Sequence, residues 1–168
     1  MSRHRATAVS QRGTNKATAH SWNAISMPGN GASELFLGIL HALKPKKVIL
    51  PVPSFYGYAY TAKAVGSEVI CVPLKKEEDF LPGEELVLAL QEDAELLFLA
   101  NPNNPTGKLM KPAYLENVLE VCKEKNIYVV LDECFIEFCE KENSIVQKLS
   151  TYRNLLIVRA FTKIYAIP

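Results

Sequence analysis

Four short segments of this 168-residue chain combine residue types that can do chemistry. In Pro28-Gly29-Asn30-Gly31-Ala32-Ser33-Glu34, two glycines precede an apolar, helix-like stretch, so free backbone N–H groups and the helix dipole there would favour a phosphate. Read alone, the same residues make a glycine-rich turn with Ser33 or Asn30 capping a helix. In Asn101-Pro102-Asn103-Asn104-Pro105-Thr106-Gly107, prolines and a glycine stiffen a loop from which Asn104 can present an amide, although a plain strand-to-helix turn has similar chemistry. Asp132 ends the apolar run Ile127–Leu131. A carboxylate there is costly to desolvate unless a ligand cation, a structural arginine or a helix start meets it. Lys163 follows the run Asn154–Arg159, and an amine held among Phe161, Ile164 and Tyr165 becomes a nucleophile toward a carbonyl if desolvation lowers its pKa. A lone lysine is otherwise a solvated charge.

Taken in this order, the four segments satisfy one ligand, pyridoxal 5′-phosphate. The glycine-flanked helix start takes the phosphate, Asn104 the phenolic oxygen and Asp132 the ring nitrogen, while Lys163 forms a Schiff base with the aldehyde. A protonated ring withdraws the electrons released when a bond to the substrate Cα breaks.

The elements needed to position these residues are legible. Lys47–Val52, Glu68–Val72, Leu96–Ala100, Ile127–Asp132 and Asn154–Arg159 have strand lengths and compositions, with too little polar alternation for a sheet wet on one face. Ala32–Ala42, Tyr56–Ala64, Gly83–Leu90 and Lys111–Lys125 read as helices; in the last, Leu115, Val118, Leu119 and Cys122 form an apolar stripe. Alternating strands and helices predict an α/β fold, a three-layer αβα sandwich around a mostly parallel sheet, with ligands beyond the carboxyl ends of the strands.

Composition narrows the function classes. Nineteen Lys and Arg against 18 Asp and Glu give a formal charge of +1, with no electrostatic reason to expect nucleic acid or anionic membrane as partner. Apolar runs fall far short of the ~20 residues of a membrane helix. Cys71, Cys122, Cys134 and Cys139 contain no CxxC pair, and His4, His20 and His41 have no metal-ligand spacing, so neither a disulfide framework nor a metal is expected, and a reduced cytoplasmic setting is. Residues 1–28 are rich in Ser, Thr, Ala, Asn and Arg, poor in large aliphatics, and read as a loosely ordered segment before a domain over 29–168. Their basic, acid-free character is also similar to a transit peptide, or to a bacterial amino end read from a misplaced start. Dinucleotide binding is disfavoured, since no GxGxxG occurs.

From Gly29 to Pro168 the wording resembles the class I/II aminotransferases of fold type I. GNGASE resembles the family's phosphate-binding helix start, NPNNPTG its asparagine loop, LDECFIEF its ring-nitrogen aspartate strand and RAFTKIYAIP its Schiff-base lysine segment. NPNNPTG and FTKxxAIP are specific in combination. The resemblance implies phosphate contacts from Gly31, Ala32, Ser33 and Thr162, stacking of Phe55 on the cofactor ring, and catalytic roles for Lys163 and Asp132. Phe135 stands where many relatives carry a tyrosine, and Ala160 where a Ser or Thr is common. The wording is most similar to the branch holding the threonine-phosphate decarboxylases of cobalamin synthesis and the histidinol-phosphate aminotransferases. It implies a small-molecule substrate, an amino acid or phosphorylated amino compound, undergoing transamination or decarboxylation, and a homodimer in the full-length parent. It also implies that the chain is part of a cofactor-binding large domain without the small carboxy-terminal domain, so that the isolated fragment is expected to be inactive. The alternative is a catalytically inactive α/β phosphate-binding or assembly module.

Overall fold

The computed structural model of the chain describes residues 5–11 and 24–164. Seven strands, β1 (Arg5–Gln11), β2 (Ala24–Asn30), β3 (Lys47–Val52), β4 (Glu68–Pro73), β5 (Leu96–Ala100), β6 (Tyr128–Asp132) and β7 (Leu155–Ala160), form one sheet in the order β2-β1-β7-β6-β5-β3-β4. Strands β3 to β7 run parallel, while β1 is antiparallel to both β2 and β7. The helices are α1 (Ala32–Leu43), α2 (Tyr56–Ala64), α3 (Glu84–Ala89) and α4 (Pro112–Glu124), and short 3-10 turns follow β6.

Strand side chains alternate between the two faces, so the continuous apolar runs feed two separate cores. Leu96, Phe98, Ala100, Val130 and Val158 pack with Phe36 and Leu40 of α1 and Tyr58 and Ala62 of α2. Leu97, Leu99, Val129, Leu131 and Ile157 pack on the opposite face with Leu86 of α3 and Leu115, Val118 and Leu119 of α4. The three-layer α/β expectation therefore holds. The apolar stripe on α4 faces the sheet, and Pro112 starts that helix at a position where its missing N–H costs nothing. Helix α1 stops where Lys44 turns left-handed at φ 48°.

The opening segment departs from the expectation of loose order. Arg5–Gln11 and Ala24–Asn30 are strands, and the first bonds the open edge of β7. A strand edge offers unpaired N–H and C=O groups to any extended backbone, so small and polar residues suffice and the hydrophobic period gives no warning. The rest of residues 1–28 lies outside the described residues, as do Tyr165–Pro168 and the AIP triplet.

The two-core arrangement predicts where stability resides. Leu97→Ala, which opens a void between β5 and the α3–α4 layer, is expected to cost ~2–5 kcal/mol in urea denaturation. Leu88→Ala, 67% exposed on α3, is expected to stay within ~0.5 kcal/mol of the parent.

Candidate functional site

A cleft of about 280 Å³ opens at the carboxyl ends of the parallel strands, close to the lower end of the ~300–1,000 Å³ range of ligand pockets. Gly31, Ala32 and Ser33 reach it from the start of α1, Phe55 from the start of α2 and Asn104 from the loop after β5. Asp132 enters from the tip of β6, and Thr162 and Lys163 enter just beyond β7. All eight residues singled out from the sequence line this one cavity, and Phe36, Cys134, Phe135 and Ala160 complete its wall.

The start of α1 is open to a ligand. Gly31 is its N-cap, at φ 83° and ψ 160°, a conformation that L side chains rarely adopt. Among the described residues no side chain, Asn30 and Ser33 included, caps the first N–H groups of the helix. Glu34 instead reaches back to the Asn30 backbone N–H. Free N–H groups at the positive end of the helix dipole are a ready anion cradle.

Asp132 is the most costly group in the cleft. It is 9% exposed and forms no ion pair among the described residues. Its Oδ1 accepts the Cys134 backbone N–H at 2.8 Å, and its Oδ2 accepts the Tyr58 hydroxyl at 2.5 Å. Burial pushes the carboxyl pKa above its ordinary value, opposed by the Cys134 thiol, by those two hydrogen bonds and by the charge of Lys163. Among the described residues no arginine pairs with Asp132, since Arg159 pairs with Glu133. Tyr58, which the sequence reading did not single out, is itself held by aromatic packing. It stacks on Phe98 at 5.0 Å and meets Phe36 and Phe55 edge-on at 5.1 and 5.5 Å. Burial, then the neighbouring Asp132 charge, pushes the phenol well above its ordinary pKa, so it remains a donor. Gly57 matters for the same wall: any side chain there would collide with the Phe55 ring.

The spelling of the loop after β5 divides its labour. Asn101 Oδ1 accepts the Met110 N–H at 2.8 Å, closing the loop. Asn103 Nδ2 donates to Pro53 O at 3.1 Å and to Thr106 Oγ1 at 2.9 Å, tying the loop to the turn before Phe55. Gly107 turns at φ 70°. Asn104 is left to face the cleft.

Lys163 differs from expectation in its surroundings. It is exposed at the cleft mouth, with Nζ 5.4 Å from the centroid of the Phe135 ring, and is not enclosed among Phe161 and Ile164, which are 38% and 42% exposed. Tyr165 lies outside the described residues. Phe135 thus supplies a ring face to the amine. Among the described residues no cluster of His, Cys, Asp or Glu could hold a metal ion, and no helix is long and apolar enough to cross a membrane.

The chain as a whole is similar to known proteins. The family profile described as aminotransferase class I and II matches residues 5–168, and so includes the opening strands that the sequence reading left outside its resemblance. The chain is 32% identical over 142 residues to the threonine-phosphate decarboxylase of Salmonella typhimurium, covering 84% of this chain and 39% of that protein. It is 36% identical over 154 residues to the histidinol-phosphate aminotransferase of Symbiobacterium thermophilum, covering 89% of this chain and 42% of that protein. The crystal structure of the histidinol-phosphate aminotransferase from Clostridium acetobutylicum superposes with a TM-score of 0.75 at 34% identity, over 83% of this chain and 41% of that one. The chain spans about two fifths of the length of these relatives. The family implies pyridoxal phosphate as cofactor. With a mostly parallel α/β sheet and a profile match over nearly its whole length, this chain is a member of the class I and II aminotransferase family.

Proposed function

We propose that this chain holds pyridoxal phosphate in the cleft and contributes the cofactor half of an enzyme acting on an amino acid or phosphorylated amino compound. The observation that carries the reading is Asp132, a buried carboxylate with no ion-pair partner among the described residues, which opens on the same cavity as Lys163 and the start of α1. A pyridinium is the kind of cation that offsets such burial, and its phosphate matches the helix start.

The cofactor supplies an electron sink when bound. Every other task falls to side chains. The backbone N–H groups of Ala32 and Ser33, with the hydroxyls of Ser33 and Thr162, bind the phosphate. Phe55 stacks on the ring, and Asn104 donates to the phenolic oxygen without help from a hydroxyl at Phe135. Asp132 keeps the ring nitrogen protonated, and Tyr58 and the Cys134 N–H hold Asp132 in place. Lys163 Nζ would hold the cofactor's carbonyl carbon, and the same amine would be the group that moves the proton at the substrate Cα. Loss of that proton leads to transamination and loss of the carboxylate to decarboxylation. The similar relatives include proteins named for each outcome, so the reading rests on the shared chemistry. Tyr56 and Tyr60, 76% and 71% exposed on α2 beside Phe55, offer an apolar face suited to the homodimer proposed for the whole protein.

Borohydride reduction after incubation with pyridoxal phosphate tests the central step. The expected result is one adduct, mapped to the peptide carrying Lys163 and absent from Lys163→Ala; no adduct would leave the inactive phosphate-binding module as the better reading.

Asp132 also makes a pH prediction for the cofactor-free chain. Because burial raises its pKa, the folded chain holds the proton more tightly than the unfolded one, and stability falls as pH rises through that interval. Asp132→Asn is therefore expected to stabilise the cofactor-free chain by ~1–3 kcal/mol at pH 8. The gap closes as pH falls toward the unfolded carboxyl value of ~4. The same variant should bind pyridoxal phosphate about 10–100-fold more weakly. Thermal melts against pH and cofactor titration read the two effects.

A further inference from the structure

Directly beneath the cleft floor, on the opposite face of the sheet, lies a second acid. Glu133 is the next residue after Asp132, and its side chain is 0% exposed. Its Oε2 accepts Arg159 Nε at 3.0 Å and Nη2 at 2.6 Å, and also Ser144 Oγ at 3.0 Å, while Oε1 accepts the Ile145 N–H at 3.0 Å. Arg159 Nη2 donates in addition to Ser144 Oγ at 2.6 Å, and Nη1 lies 3.8 Å from Glu137. The Glu133 backbone N–H bonds Val158 O at 2.8 Å, one residue beyond the last β6–β7 register pair, Asp132 with Val158. Strands β6 and β7 are thus joined at their tips twice, through backbone and through an ion pair.

The location of that pair is unusual in energetic terms. A buried ion pair breaks about even with a well-packed apolar pair of the same volume, so stability alone does not require one here. What it adds is direction: a bifurcated guanidinium contact fixes two strands in one relative position. Arg159 sits four residues before Lys163, and Glu133 adjoins Asp132. We infer that Glu133 and Arg159 are positioning residues, a clamp under the sheet that sets the placement of the Lys163 amine relative to the Asp132 carboxyl. The inference rests on the functional reading above and adds residues that touch neither the cleft nor a ligand.

The test uses the full chain and the double variant Glu133→Met/Arg159→Met, which removes the clamp without leaving a buried charge unpaired. The expected variant melts close to the parent but binds pyridoxal phosphate about tenfold more weakly, the order of one misaligned hydrogen bond to a charged group. The pH midpoint of the bound cofactor's absorbance is expected to move. Asp132→Asn should shift that midpoint less in the double-variant background than in the parent, since the two groups are no longer held together. Arg159→Lys, which keeps the charge and loses the fork, should fall between. Parent-like affinity, midpoint and Asp132→Asn shift in a folded double variant overturn the clamp. If the double variant does not fold, parent-like values in Arg159→Lys overturn it equally. Failure of the parent itself to bind cofactor overturns the functional reading and the clamp together, and is distinguished by the absence of any parent signal.

Discussion

The structure turns on the burial of one carboxylate. Asp132 sits at the end of a strand whose preceding three residues are buried, and neutral donors from Tyr58 and Cys134 with a nearby amine offset the loss of water. A protein selected only for stability has little reason to keep such a group. Its surroundings become intelligible when the cost is set against a cationic ligand. Tyr58 is clasped by three rings so that its hydroxyl meets Asp132, and the turn after β6 is arranged so that the Cys134 N–H does the same. Helix α2 is thereby both a packing element and the support of the acid.

The period of two along β6 gives consecutive acids different work. Asp132 faces the α1–α2 side, where no arginine of the described residues meets it. Glu133 faces the other side, where Arg159 and Ser144 satisfy it completely. A one-residue slip in register would exchange these environments, leaving the wrong acid unpaired. The parallel ladder of β5, β6 and β7 prevents the slip because each face of each strand is committed to its own apolar core. Chemistry at the strand tips depends in this way on packing along the strands.

Sequence reading reaches the five parallel strands, all four helices and the eight cleft residues, because continuous apolar runs, one amphipathic stripe and the NPNNPTG and FTK spellings are local signals. It misses Tyr58 and Gly57, whose value depends on what lies across α2 from them, and neither residue carries a motif. It misses the Glu133–Arg159 pair, since two charges 26 positions apart give no sign of meeting. It also misses the opening strands, which pair through backbone groups that every residue possesses.

The amino-acid order by itself determined the layered α/β class, the sites where strands end, and which polar residues stand at those ends, because hydrophobic period and turn chemistry act over a few residues. Only the tertiary structure decided which ends adjoin, that Glu133 and not Asp132 takes Arg159, and that Lys163 stands exposed over Phe135. Those outcomes depend on strand order, facing and burial, which arise from contacts between segments distant in the chain.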